Sequence, residues 1–276
     1  MDKTAIVYIS DTHTNSTTGV CKPLIDLDEG GTFHPSRTQS WLYSSLISFV
    51  EQARSDTEGY RRVVGFGGDI GELDAKQRST QVITRNKATI QRMIIETMEP
   101  ILSIADATLV MRGTPAHEGK SSWLEEWFAY DISAFKDEKS RTSSWWQFVG
   151  ECNGVRLDLA HHARPPGRRT RKGVGAVTLA GETMYDYRVE MKMEPPHVLI
   201  RSHNHQRADS GENFDVHVRY TRAWTSKTEY AYRIGCENAL SDIGGLILFC
   251  EGASTWQIKE YPFYPAEMKQ IWQVQL

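Results

Sequence analysis

Residues 4–13 read T-A-I-V-Y-I-S-D-T-H. The part from Thr4 to Ile9 is apolar and β-rich, and polar residues follow at once. A short apolar run without strict alternation is what a strand buried on both faces needs. It predicts a central strand whose carboxyl end opens onto Ser10, Asp11, Thr12 and His13. Ligands bind beyond the carboxyl ends of strands in open α/β sheets, which makes this loop the first candidate for chemistry.

The pattern repeats downstream. Ser36 to Ala53 carries Trp41, Leu42, Leu46, Ile47, Phe49 and Val50 at helical spacing, predicting a helix that covers the sheet. Arg62 to Phe66 is the next strand and runs into Gly67, Gly68 and Asp69. Thr84 to Met98 predicts a second amphipathic helix, stopped by Pro100. Ala107 to Met111 is the third strand and leads into Arg112-Gly113-Thr114-Pro115-Ala116-His117. This order of elements argues for an α/β fold with parallel pairing. Trp123, Trp127, Trp145 and Trp146 sit among mixed charges, which predicts a cap or insertion at about 119–150 near the site. Val155 to Ala160 alternates and ends in His161-His162. His197 to Ile200 follows Pro195-Pro196 and ends in Arg201-Ser202-His203-Asn204-His205. From Asp215 onward short β-rich runs alternate with turn residues, so a mostly antiparallel C-terminal part is expected. No repeat or linker divides residues 1–276, which are read as one domain.

A net charge of -3 over 276 residues gives no global argument for nucleic acid or an anionic membrane as partner. The apolar run at the start is too short for a signal peptide or a membrane span, and no later stretch is long enough. The four cysteines, Cys21, Cys152, Cys236 and Cys250, form no C-x-x-C pair. They read as unpaired thiols in a reducing compartment, and a cytoplasmic location is expected.

The strand-ending loops hold Asp11, His13, Asp69, Thr114, His117, His161, His203 and His205, including five of the nine histidines. Carboxylate mixed with imidazole suits Zn, Mn or Fe better than Ca or Mg, which prefer oxygen shells. In an extended backbone residues i and i+2 point the same way. Asp11 with His13, and His203 with His205, can therefore each chelate one metal or span two neighbouring ones. Asp69 follows two glycines, which let the backbone approach an ion closely. Taken singly each residue has an ordinary reading: Asp69 as a turn residue, His161-His162 as one buried and one solvated ring, His203 and His205 as exposed side chains. The joint pattern, one polar loop after each strand, carries the metal reading.

In order, I-S-D-T-H (9–13), G-G-D-I-G-E (67–72), R-G-T-P-A-H-E (112–118), L-A-H-H (159–162) and S-H-N-H (202–205) resemble the motifs of the calcineurin-like metallophosphoesterase superfamily. The looser likeness within it is to phosphoesterase-like proteins of bacteriophages and prophages. The resemblance implies an α/β fold, a four-layer α/β/β/α sandwich with two central mixed sheets. It implies two divalent transition-metal ions and hydrolysis of phosphoesters, with phosphodiesters put first. Asp11, His13 and His205 would then hold the first metal, Asp69 would bridge, and His161 and His203 would hold the second.

The third loop departs from the family. Thr114 stands where the family has a metal-binding Asn, and the candidate His comes later, at His117. Thr114 is retained as a weaker ligand, and His117 and Arg112 are the groups expected at the phosphate, with His117 a candidate acid for the leaving oxygen. Arg164, Arg168, Arg169, Arg171 and Lys172 form a basic loop after His161. It reads either as a contact for phosphate or a nucleic-acid backbone or as a solvated loop. Trp145, Trp146 and Trp224 read either as stacking platforms or, more often, as core or lid residues. The alternatives to a phosphodiesterase are a phosphomonoesterase on a small molecule and a catalytically weak member of the fold that binds nucleic acid or protein.

Overall fold

The apolar run at Thr4–Ile9 forms strand β1 of the computed structural model, buried at every position. The structure describes residues 3–28, 30–74, 79–165, 167, 173–229, 231 and 241–265. The further strands are β2 (Ile25–Asp26), β3 (Thr32–Phe33), β4 (Arg61–Phe66), β5 (Ala107–Val110), β6 (Gln147–Cys152) and β7 (Val155–Ala160), then β8 (Val198–Arg201), β9 (Ala208–Asp209), β10 (His217–Tyr220), β11 (Ile243–Gly252) and β12 (Thr255–Phe263). The first large sheet has the order β12-β11-β1-β4-β5, and the second β6-β7-β8-β10-β9. Both are mixed. In the first, β1, β4 and β5 run parallel while β11 and β12 are antiparallel. In the second, β7, β8 and β10 run parallel, flanked by antiparallel β6 and β9.

The period of two along β1 explains why an apolar run was needed. Ala5, Val7 and Ile9 face one core, whereas Ile6 and Tyr8 face another. The first core lies under helices α1 (Arg37–Asp56), α2 (Lys87–Leu102) and, after the single turn α3 (Pro115–Glu118), α4 (Trp123–Asp131). Leu46, Phe49, Ile94, Met98, Leu124 and Phe128 fill it from the helices. The second core is the space between the sheets, where Leu157, Val198, Ile200 and Leu248 meet β1. A third lies outside the second sheet, where Ala176 and Ala180 of α5 (Val174–Tyr185) cover Leu199, Val218 and Tyr220. Helices, sheet, sheet, helix is the four-layer α/β/β/α arrangement of the calcineurin-like fold.

Local sequence sets the helix ends. Ser36 and Gln39 close a capping box at the start of α1, and Gln39 also donates to the Ser16 and Gly19 carbonyls. α2 differs from its expected bounds. It starts at Lys87, where the Asn86 side chain accepts from the Ala88 and Thr89 N–H groups, and it continues through Pro100 to Leu102. A proline this close to a C-terminus removes one donor from a turn that is about to end, so the helix tolerates it. Of the 119–150 segment, α4 lies in the outer helical layer, with Leu124, Phe128 and Ala129 fully buried.

The inter-sheet core gives a direct test of this layering. Leu248→Ala removes a fully buried side chain from between the sheets and is expected to cost about 2–5 kcal/mol. Val149→Ala, on a side chain 55% exposed, is expected to change stability by less than about 0.5 kcal/mol. Denaturant midpoints of the two variants check this, and equal shifts contradict the layer order.

Candidate metal centre

Strands β1, β4, β5, β7 and β8 end in the loops that carry Asp11 and His13, Asp69, Thr114 and His117, His161, and His203 and His205. The ligand pairs do not converge through extended backbone, as i, i+2 spacing suggested. Asp11, His13, Asp69, His203 and His205 all have positive φ, between 42° and 73°. Non-glycine residues rarely adopt this left-handed region, and where it clusters the surrounding structure has to impose it. Here the imposing contacts are backbone hydrogen bonds: Asp11 and His13 donate to the carbonyls of Gly68 and Asp69, each at 3.0 Å.

Glycine is required where loops from different strands touch. A Cβ on Gly113 would lie 2.2 Å from Asp69 Oδ1, and one on Gly68 would meet His161 Nδ1 at 2.7 Å and the Gly113 backbone at 2.9 Å. The glycines before Asp69 therefore make room for neighbouring loops.

Among the described residues four clusters of ligand-type atoms result: Asp11 with His13 and His205, Asp69 with His161 and His203, His13 with Glu72 and His117, and Asp69 with Glu118 and Glu125; the first two match the sets expected from sequence. In the first, Asp11 Oδ1 lies 3.3 Å from His205 Nε2, which is also 3.3 Å from His13 Nε2. In the second, Asp69 Oδ2 lies 3.2 Å from His161 Nε2. His161 Nδ1 is bonded to the Gly67 carbonyl at 2.6 Å, which leaves Nε2 to face Asp69. Asp11 Oδ1 and His161 Nε2 are buried without a hydrogen-bond partner. A buried carboxylate oxygen and a buried imidazole nitrogen without hydrogen-bond partners are groups that a cation would satisfy once the imidazole has lost its proton, so these residues fit a metal centre. The second cluster is tied to the first, since the His203 N–H donates to Asp11 Oδ2 at 3.2 Å. His162 stacks on His203 with ring centroids 5.2 Å apart.

The electrostatics follow from burial and charge. Burial works against the Asp11 carboxylate, but the His205 and His161 charges outweigh it and hold its pKa down. Asp69 is likewise held well below the carboxylate range, against burial, by His161 and then His13. Burial opposes a charge on His161, yet Asp69 and Asp11 raise it to about 10. His203 goes the other way: burial and the His161 charge take it to about 4.

In the third loop Thr114 and His117 both contact acids. The Thr114 N–H donates to Asp69 Oδ1 at 2.6 Å, and its hydroxyl lies 3.1 and 3.2 Å from the two Asp69 oxygens. It is a clamp on Asp69. His117 meets Glu72 Oε2 through Nδ1 at 2.5 Å and packs edge-on against His13 at 4.5 Å. Burial disfavours its charge, but Glu72 and Asp69 raise His117 to about 9. The Arg112 guanidinium is taken up by Ser144 Oγ at 2.9 Å and Glu126 Oε2 at 3.3 Å.

Three buried acids went unrecognised in the sequence: Glu72, Glu118 and Glu125. Glu125 Oε1 accepts the N–H groups of both Asp69 and Gly113, at 2.9 and 3.0 Å, and Glu118 Oε1 accepts that of Gly71 at 2.8 Å. Burial, together with neighbouring negative charge, pushes both of these acids up. A signal existed for Glu125, which lies three and four residues before Phe128 and Ala129 on the buried face of α4.

Of the basic loop, Arg164 pairs with Glu182 at 2.8 Å, while Arg168, Arg169, Arg171 and Lys172 lie outside the described residues. Trp224 is core, and the Trp145 indole N–H is bound by the Phe135 carbonyl. No helix among the described residues is long and apolar enough to cross a membrane.

No protein-family model and no curated protein matches the chain. Among solved structures it is similar to Vps29 of Chaetomium thermophilum, at 9% identity and a TM-score of 0.41 over 94% of this chain and 97% of that one. It is also similar to a dimetal phosphatase from Danio rerio, at 10% identity and a TM-score of 0.42 over 93% and 95%. The bacteriophage branch gains no support from these two, and the fold assignment rests on the layer order itself. The clustered Asp, His and Glu side chains could hold divalent metal ions.

The raised pKa of His161 has a measurable consequence. An imidazole ligates only after losing its proton, and at about pH 7.5 a group with a pKa of about 10 still carries it. Metal loading is therefore expected to release protons and to tighten as pH rises. Calorimetric titration of Zn or Mn in buffers of different ionisation enthalpy reads the proton count, and a count of zero contradicts the assignment of His161.

Proposed function

We propose that the protein is a hydrolase of phosphoesters, phosphodiesters first, working with two divalent transition-metal ions of the Mn, Zn or Fe class. The reading is supported by the pair of adjoining Asp/His clusters, in which Asp11 Oδ1 and His161 Nε2 are buried without a hydrogen-bond partner. Asp11, His13 and His205 would hold one ion and Asp69, His161 and His203 the other, with Asp69 between them. Bound ions would polarise the phosphoryl oxygens and make a water nucleophilic at neutral pH.

The chain's own groups supply the rest. Thr114 and Glu125 fix Asp69 from its side chain and from its backbone. His117, charged at neutral pH and backed by Glu72, stands beside His13 as the proton donor for the leaving oxygen. Arg112 contributes through the shape of the third loop, since its guanidinium is held by Glu126 and Ser144.

Asp69→Asn and His205→Ala are expected to lower kcat on bis(p-nitrophenyl) phosphate by at least about 100-fold in the Mn-loaded protein. The metal content of the loaded parent should exceed one ion per chain. A folded variant that turns over like the parent, or a parent that retains no metal, sinks the proposal.

A catalytically weak binding module is the second reading, favoured by Thr114 in place of a ligating amide. The basic loop bears on the substrate. Neutralising Arg168, Arg169 and Arg171 together should weaken action on polymeric nucleic acid far more than on the small ester. The loss should also be salt-dependent, because neutralised phosphates release counterions. Equal losses on both substrates assign the loop to support of the metal centre, and no loss on either favours a small-molecule phosphoester.

A further inference from the structure

Among the tryptophans that sequence alone left open as stacking platforms, Trp146 is the one the structure leaves at the surface beside the site. Two backbone connections place it. On one side Trp145 bridges Met111 at the end of β5, donating to the Val110 carbonyl at 2.9 Å and accepting from the Arg112 N–H at 2.8 Å. On the other side Gln147 pairs with Ala160, the residue before His161. Residue 146 therefore spans the gap between the third loop of the first sheet and the His161 loop of the second. It lies at the rim of the metal centre.

Its side chain is held there. The Arg112 guanidinium lies over the indole at 5.1 Å from the ring centroid, a cation–π contact. That guanidinium is in turn fixed by Ser144 and Glu126, and Glu126 also accepts the N–H groups of Ser143 and Ser144 at 2.8 and 2.9 Å. One face of the ring thus rests on a rigid cation. With 54% of the residue exposed, the other face looks into solvent. A large aromatic ring, immobilised on one face and open on the other, can stack a planar partner with little loss of side-chain freedom.

We infer that Trp146 is an aromatic platform for the ester arm of the substrate, so that the preferred substrates are phosphodiesters bearing a nucleobase or comparable aromatic group. This deepens the hydrolytic reading and rests on it. It also assigns Arg112 the role of positioning Trp146.

Two substrates with the same leaving group separate the platform from the chemistry: thymidine 5′-(p-nitrophenyl) phosphate and methyl p-nitrophenyl phosphate. Trp146→Ala is expected to raise KM for the nucleoside ester about tenfold more than for the methyl ester, and Trp146→Phe to recover most of that difference. Matching changes on the two esters, or none on either, overturn the inference. If the parent hydrolyses neither ester, the hydrolytic reading has failed, and binding decides the platform by itself. Calorimetric titration of the Mn-loaded chain with thymidine 5′-monophosphate should then show weaker binding in Trp146→Ala than in the parent. Equal affinities, or no binding by the parent, overturn it.

Discussion

Asp69 is a carboxylate with no access to water, and the architecture of the site can be read as the set of contacts that keep it charged. Removing such a group from solvent costs several kcal/mol unless donors or counter-charges meet it. Thr114 supplies an N–H and a hydroxyl, His161 supplies an imidazole 3.2 Å away, and the backbone N–H of Asp69 goes to Glu125. These partners come from β5, β7 and α4, so one side chain fixes how three elements approach. Gly113 follows from the same demand, because any side chain there would occupy the position of the Asp69 carboxylate.

Layering decides which elements can reach that point. Parallel strands in both sheets deliver their loops to the site, and a chain of buried hydroxyls ties the sheets together beside it. Ser10 Oγ lies 2.7 Å from Thr221 Oγ1, which donates to Ser202 Oγ at 3.1 Å. Ser202 stands where the resembled family has glycine, and here its hydroxyl ends this chain. Left-handed backbone at five ligand positions costs of the order of 1–3 kcal/mol each. Such a cost persists because the backbone hydrogen bonds between the Asp11 and Asp69 loops and the packed sheets on either side leave the loops no alternative.

Much of this was legible. The unbroken apolar run from Thr4 to Ile9 has a single good explanation, burial on both faces, and its alternate side chains do fill two different cores. Loops that hold Asp and His after successive strands also identified the clusters, because strand ends are set by local pattern. What stayed hidden depends on approach between distant segments. Spacing from Phe128 and Ala129 puts Glu125 on the buried face of its helix, but what it meets there is set by the layer above it. Asp11 and His13 do fall in one cluster while His203 and His205 fall in two neighbouring ones, but the extended geometry behind the i, i+2 argument is absent, since φ in a constrained loop is decided by its neighbours. Pro100 misled because propensity rules describe helix interiors, and it lies two residues from an end.

The replacement at Thr114 shows how one substitution redistributes work in such a site. An amide side chain there would present an oxygen to an ion, whereas the threonine turns both its donors onto Asp69. The second cluster groups Asp69, His161 and His203, of which His203 reaches the solvent boundary. The first cluster, by contrast, sets the fully buried Asp11 against His13 and His205. A centre built this way has one closed, preorganised half and one half whose last ligand sits at the solvent boundary. The His162–His203 stack lies at that open half. The asymmetry in burial thus gives the clusters a direction, with a dry interior around the carboxylates and an accessible edge at His203.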